Sequence, residues 1–572
     1  MAAALGTGPM ADAFYAAFRF PNLFRRLFAE GAFNAAFVPL FAKEIEGGGK
    51  EAAKRFSEEV FGVLFTVLLL ITIVMELAMP LIVRTIIAPG FDAGTEKYAV
   101  TVKLAVIMFP YLMCMSLTAM LSGMLNSLHH YFAAAVAPIF LNVAMIGALF
   151  YALWTGAEPL ATAWYLSWGV LVAGLLQMAV LYAGVRHAGM SIGFRRPRMT
   201  PNVKRLLVLA LPAAVTGGIT QINQIIGQMI ASTKEGAIAA LQYADRLYQL
   251  PLGVVGIAVG VVLLPELSRA LRAGHLKEAS NIQNRSLEFS LFLTLPAAAA
   301  LWVLSDEIIR VVYEHGAFNT AMTDTVAGIL AIYGLGLPGF VMIKALNPGF
   351  FAREDTRTPM RFTMVSVAIN CALALSLFPL FQERGIATAE VVSGWFTTIM
   401  LFTTLVRRGH FEIEKDLVSR LIRLLIAAGV MALGLYFALP QAAPYLRPTS
   451  GLFEQVGAIL VLIVVAMVVY FGITIAYLVA IGGGALVGYG VGHVSNDAAS
   501  FSVWGGVFGF GVVSVGVYWV REYLLYILKA GHIAVMVELL QGKALPAGKN
   551  QIDHARDVVT ARFGEANVLF VL

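Results

Sequence analysis

The chain is a succession of apolar stretches, each about 20 residues long, separated by short polar segments. About 20 apolar residues are what one helix needs to cross the ~30 Å hydrocarbon layer of a bilayer. By that rule about thirteen or fourteen spans lie between residues 8 and 520. Of the 572 residues, 59% are hydrophobic and only 13% charged, and mean hydropathy is +0.80. A water-soluble fold of this size cannot hide so much apolar surface, so the class is an all-α polytopic membrane protein. Cys114 and Cys371 both fall inside apolar runs and read as core residues rather than as a disulfide or metal ligands.

The net charge of +6 is a topology signal, not a nucleic-acid signal. Basic loops at Lys43–Arg55, Arg186–Arg205, Arg269–Arg285, Arg353–Arg361 and Arg407–Arg423 alternate with loops that carry no basic excess, such as "APGFDAGTEKY", "STKEGA" and "EHGAFNTAMTD". Placing the basic set in the cytoplasm makes each span cross once and puts Met1 outside. The first residues lack the basic region of a cleavable signal peptide.

An internal repeat appears when the chain is shifted by 226 positions. Gly90 then falls on Gly316, Gly123 on Gly349, Pro39 on Pro265, Lys43 on Arg269, and Ala161-Thr162-Ala163 on Ala387-Thr388-Ala389. An even number of helices per repeat gives the parallel type, with both halves running in one sense and a site near the midplane between them. The expected architecture is two pseudo-symmetric six-helix lobes, 1–190 and 200–410. Two further helices follow over 415–478, then an extension over 480–572 with one span near Phe501–Val520. By the same offset, the helix that should pair with about Lys204–Ser232 is missing from the first lobe, so an N-terminally truncated lobe is expected.

The stretch "RFPNLFRRLFAEGAFNAAFVPLFAKE" carries arginines and a glutamate where lipid should be. On one helix Asp12, Arg19, Asn22, Arg26 and Glu30 fall within about 80° of arc, and Arg25 flanks them. Three readings stay open: surface anchors, an internal Arg26–Glu30 ion pair, or the polar wall of a cavity. From Arg26 to Ala42 is about 24 Å of helix, too far for side chains to snorkel. Three arginines against one glutamate leave positive charge over, and a mid-membrane cation costs about 2.5–3.5 kcal/mol unless it faces water or an anion. In the second half, Gln242, Asp245, Arg246 and Gln249 form a matching stripe. An arginine-rich cavity suits a phosphate-bearing substrate, because the guanidinium fork holds phosphate oxygens bidentately. No phosphate-binding loop or metal-ligand spacing is present, so no cofactor and no ATP hydrolysis are expected. Glu390 is an intramembrane carboxylate without a catalytic partner in the sequence.

At these residues the chain resembles the MurJ/MviN lipid II flippases of the MOP exporter superfamily. The resemblance rests on "ADAFYAAFRFPNLFRRLFAEGAFNAAFVPLFA", "YADRLYQLPLGVVGIAVGVVLLPELSRA" and "YEHGAFNTAMTDTVAGILAIYGLGLPGFVMIKALNPGFFAREDTRTP", and covers about residues 1 to 475. It implies a bacterial inner-membrane protein of fourteen helices. Such a protein moves the undecaprenyl-diphosphate-linked peptidoglycan precursor, lipid II, to the periplasmic leaflet by alternating access. Implied functional residues are Asp12, Asn22, Arg25, Arg26 and Glu30, then Asp245 and Arg246, with Gln249 at a position acidic in some members. Arg353, Asp355 and Arg357 mark a cytoplasmic loop, and the last two helices imply a groove for the lipid tail. Lipid II, membrane lipids and cell-wall synthesis proteins are the expected partners. Some members carry a sodium site with an aspartate four residues after the asparagine matching Asn370; here that residue is Ala374, so sodium coupling is not expected. A drug/cation antiporter of the same superfamily, a polyprenyl-phosphate enzyme and an inactive fragment are the alternatives. An antiporter predicts an acidic, aromatic cavity instead of an arginine stripe.

Overall fold

The computed structural model describes residues 1–25, 33–446, 451–494, 499–500, 502–509 and 512. The described residues form helices and connecting turns without strands. The long helices are α1 (Pro9–Arg25), α2 (Phe33–Leu77), α3 (Glu96–Met108), α4 (Tyr111–Ser127), α5 (Ile139–Trp154), α6 (Pro159–His187) and α7 (Pro201–Ala231). They continue with α8 (Ala237–Arg272), α9 (Leu276–Val303), α10 (Thr320–Phe351), α11 (Arg357–Phe381), α12 (Glu383–Arg407), α13 (Lys415–Ala442) and α14 (Leu452–Val494). Among the described residues ten helical segments are long and apolar enough to cross a membrane, and α1, α7 and α8 are not in that set.

The repeat is visible in the element boundaries. Adding 226 to the second part of α2, residues 50–77, gives 276–303, which is α9. Adding it to 79–87, a pair of short helical turns, gives 305–313, the short helix Ser305–Tyr313. At the hinge Gly49 takes φ 69° inside α2, and Gly274 takes φ 74° in the turn between α8 and α9. Both are left-handed conformations that favour glycine. Prolines inside α2 (Pro39) and α8 (Pro265) also correspond.

The chain divides into two compact units, Met1–Met467 and Val468–Leu572. In the second unit, Gly484 and Gly505 let two helical segments touch backbone to backbone: a Cβ on Gly484 would lie 2.2 Å from the Gly505 carbonyl oxygen. Most of the expected Phe501–Val520 span lies outside the described residues.

Within the first unit the two lobes meet along a seam built from the loops without basic excess. Gly90 N–H donates to Ser232 Oγ at 2.8 Å, and a Cβ on Gly90 would sit 2.5 Å from the Thr233 nitrogen. The symmetry mate Gly316 takes φ 62°, and its Cβ would sit 2.3 Å from the Ala3 carbonyl oxygen. Ala317 N–H donates to that oxygen at 2.9 Å, and the Tyr243 hydroxyl donates to Gly6 O at 2.9 Å. Gln228 Nε2 adds a bond to Ile87 O at 2.8 Å. The repeat landmarks Gly90 and Gly316 are thus among the places where one lobe's backbone lies on the other's, as are Gly6 against Ala317 and Gly236 against Thr7. The molecule is closed on the side opposite the basic loops. Gly90→Ala should wedge that seam open. With Asn22→Cys as the only cysteine, its labelling by an impermeant maleimide from the outer face should rise about tenfold, equivalent to about 1.4 kcal/mol of lost closure.

Candidate functional site

Helices α1 and α8, one from each lobe, present their polar stripes to the same space. Arg19 and Asn22 of α1, with Tyr15 and Phe18, face Gln242, Asp245, Arg246 and Gln249 of α8, and Gln224 of α7 completes the wall. The cavity holds about 480 Å³, including the part open to solvent. Arg19 and Asn22 are half-buried, and Arg246 is exposed. Gln249 Nε2 donates to Asp245 Oδ2. That bond occupies one oxygen of the carboxylate on this wall and leaves two guanidinium groups, Arg19 and Arg246, on opposite lobes. The Arg25 side chain, Arg26 and Glu30 lie outside the described residues.

Asp12 is not part of this cavity. It is 0% exposed, and its carboxylate is fully committed. Oδ2 accepts from Lys97 Nζ at 2.8 Å and from Gly236 N–H at 2.7 Å, and Oδ1 accepts from Ala239 N–H at 3.0 Å. Gly236 precedes α8, so a side chain of the first lobe satisfies the open N–H groups at the start of a helix in the second, where the helix dipole also favours an anion. The helical wheel put Asp12 in the stripe because it reports direction only. Seven residues, about 10.5 Å of helix, separate Asp12 from Arg19 and carry it up to the seam. Lys97, which also lies 4.1 Å from the centre of the Phe91 ring, was invisible as a partner because it is 85 residues away.

The loop after α10 holds Arg353, Asp355 and Arg357. Arg353 donates to Gly349 O at 2.6 Å and to His410 O at 3.0 Å. Asp355 accepts from Thr358 N–H at 3.0 Å, the Thr358 hydroxyl at 2.6 Å and Arg408 Nη1 at 2.7 Å. These bonds tie the α10–α11 turn to the end of α12, all within one lobe. Arg357 opens α11 and is exposed. Hydrogen bonds from Thr358, then the Arg408 charge, hold the Asp355 carboxyl at a pKa of about 2 against an ordinary 3.8. The pKa is depressed, so the stabilisation is fully present above pH 3.8 and is lost as pH falls through about 2. Arg408 and Asp355 are both partly exposed, so solvent screening reduces the effect to about 1 kcal/mol.

At Asn370, Nδ2 donates to Asn223 Oδ1 at 2.7 Å, and Ala374 is buried. Asn370 and Asn223 thus form a neutral amide pair between α11 and α7, and the position four residues after Asn370 carries a methyl group. Glu390, half-buried on α12, accepts from the Tyr333 hydroxyl at 3.1 Å.

Two repeated helical lobes, closed at one end and enclosing a cavity with arginine on both walls, define a class: a two-lobed α-helical membrane transporter. The family model described as "Lipid II flippase MurJ" matches residues 1–457. The chain belongs to the lipid II flippase MurJ family, a family of transporters, not enzymes. A protein of Rhizobium tropici described as "Probable lipid II flippase MurJ" is 70% identical over 471 residues, 82% of this chain and 88% of that protein. The "Lipid II flippase MurJ" of Burkholderia cenocepacia is 34% identical over 438 residues, 76% of this chain and 84% of that protein. Among solved structures, "Lipid II flippase MurJ, inward closed conformation" aligns with a TM-score of 0.69 at 25% identity, over 83% of this chain and 93% of that one. An inward-facing multidrug resistance MATE transporter of the MOP superfamily shares the fold, with a TM-score of 0.61 at 15% identity over 71% of this chain and 92% of that one.

Asp355→Asn should lower unfolding stability by about 1 kcal/mol at pH 7. The gap to the native chain should close between about pH 4 and pH 2, as read by thermal unfolding in detergent across that range. Asp12→Ala should cost about 3 kcal/mol, because it removes the partner of the half-buried Lys97 ammonium and of the Gly236 and Ala239 N–H groups, and should lower expression or the unfolding midpoint more than Asp355→Asn does.

Proposed function

We infer that this chain moves lipid II from the cytoplasmic to the periplasmic leaflet of the bacterial inner membrane by alternating access between its two lobes. The observation that carries this reading is the placement of Arg19 and Arg246 on opposite lobes around one cavity. Two guanidinium forks across a wet cavity match a diphosphate, whose charge each wall would share. Binding there draws the walls together through a common anion, and the bonds of the outer seam must break for the head group to leave outward. Asn22, Asp245 and Gln249 would orient the arginines and the sugar head. Arg25, Arg26 and Glu30 extend the same wall in sequence. We take 1–190 and 200–410 as the lobes that rock, supported by the 226-residue correspondence of their elements. The helices over 415–478 would hold the lipid tail, whose apolar contacts need no polar site. Membrane lipids and cell-wall synthesis proteins are the expected neighbours, and residues 480–572 carry no assigned role.

The antiporter alternative needs an acidic cavity. Among the described residues the cavity wall carries one carboxylate, Asp245, which already bonds Gln249, against two arginines. The enzyme alternative needs a catalytic partner for Glu390, and Tyr333 provides one hydrogen bond without a nucleophile or metal. In cells depleted of their own flippase, the native chain should restore lipid II exposure at the periplasmic face. Arg19→Ala combined with Arg246→Ala should reduce that exposure at least tenfold, because each lost charge-assisted contact is worth about 1.5–3 kcal/mol. Full rescue by the double variant would overturn the arginine-cavity mechanism.

A further inference from the structure

The segment joining the lobes, residues 188–200, has a structure of its own that the flipping mechanism does not use. Met190 and Ile192 are buried in the core of the first lobe. Beyond them the chain is stapled to α2. Glu58 accepts from Gly193 N–H at 3.2 Å and from Arg195 Nε at 2.8 Å, and Glu59 accepts from the Thr200 hydroxyl at 2.9 Å. Gly62 makes the close approach feasible, since a Cβ there would lie 2.2 Å from the Arg195 carbonyl oxygen. The staple uses Arg195, while Phe194 rests edge-on against Phe65 of α2 with its ring centre 5.8 Å away. Phe194 is 59% exposed and Met199 66% exposed. Arg196 and Arg198 are exposed and have no ion-pair partner among the described residues.

The flanking helices fix the depth of this segment. On α2 the exposed apolar residues begin at Val67, and on α7 they begin at Leu207. These mark where each helix enters hydrocarbon. Gly62 is five residues before Val67, and Pro201 six before Leu207, so the segment lies about 7–9 Å outside the hydrocarbon edge. That is the head-group layer, on the side of the basic loops. Two exposed arginines beside two exposed apolar side chains at that depth match an acidic lipid, with phosphate taken by the forks and the apolar side chains resting on the upper acyl chains.

We propose that residues 193–199 form a binding site for an anionic phospholipid, with Arg196 and Arg198 holding its phosphate and Phe194 and Met199 seated beside its acyl chains. The staple to Glu58 and Glu59 makes the site part of the first lobe, so the bound lipid pins the interlobe connection to the membrane surface. The proposal needs the membrane topology but not the identity of the transported substrate.

The test is native mass spectrometry of the full chain in mixed micelles of phosphatidylglycerol and phosphatidylcholine. The native chain should retain phosphatidylglycerol preferentially. Arg196→Gln with Arg198→Gln should weaken the tightest phosphatidylglycerol about 25-fold, roughly fivefold per lost charge. Arg269→Gln with Arg272→Gln, on another basic loop, should leave it unchanged, and Arg196→Lys with Arg198→Lys should retain most of the binding. Equal loss with the 269/272 pair would show a diffuse charge effect and overturn the site. Competition by inorganic phosphate at matched concentration would make it a phosphate site and overturn the lipid assignment. Phe194→Ser with Met199→Ser should weaken phosphatidylglycerol severalfold, and no change there would overturn the seating of the acyl chains. Loss of lipid II flipping with intact lipid retention would count against the proposed transport function and leave this site standing.

Discussion

The buried carboxylate of Asp12 is the interaction on which the observed state depends. A charge without solvent must be compensated in place, because an unpaired ion in a low-dielectric interior costs several kcal/mol. Asp12 finds Lys97 within its own lobe and two N–H groups at the start of α8 in the other. The Lys97 ion pair stays within one lobe, but the two N–H bonds exist only when the lobes are together at this end. The backbone contacts at Gly90 and Gly316 depend on the same approach, since each glycine lets one lobe's main chain lie against the other's. The seam also has an apolar part, in which Tyr15 of α1 packs edge-on against Tyr243 of α8.

Closing one end defines the cavity beneath it. About two helical turns below Asp12, the same helix carries Arg19 and Asn22, and α8 descends opposite with Asp245 and Arg246. The seal and the charged walls are thus parts of the same two helices. A change in the charge balance of the cavity acts on the elements that the seam joins, which is the physical requirement for coupling head-group binding to lobe movement. The Asp355–Thr358–Arg408 cluster does different work. It ties the α10–α11 turn to the end of α12 within one lobe, at the face of the basic loops.

Much of the architecture was legible before any coordinates. Hydropathy gave the helices, because the bilayer imposes their length and polarity on any chain that crosses it. The 226-residue offset, read from a handful of glycines, prolines and an Ala-Thr-Ala triplet, reappears as matching helix boundaries. The stripes of α1 and α8 were also readable, since angle around a helix follows from spacing. The partners of those stripes were not. Lys97, Ser232, Gly236 and Asn223 meet residues of the analysed motifs from 85 to 224 positions away, and nothing in local spacing encodes such pairings.

What the sequence by itself determined is the solvent the protein lives in, the number of turns each helix can offer it, the doubling of one helical unit, and the face on which each charge must lie. These follow from short-range geometry and the cost of placing polar groups in hydrocarbon. What only the tertiary structure decided is which of two residues on one face is seal and which is site. Asp12 and Arg19 share a direction, but they differ in height by about 10.5 Å. Height acquires meaning only when a second helix supplies N–H groups at one level and a second arginine at the other.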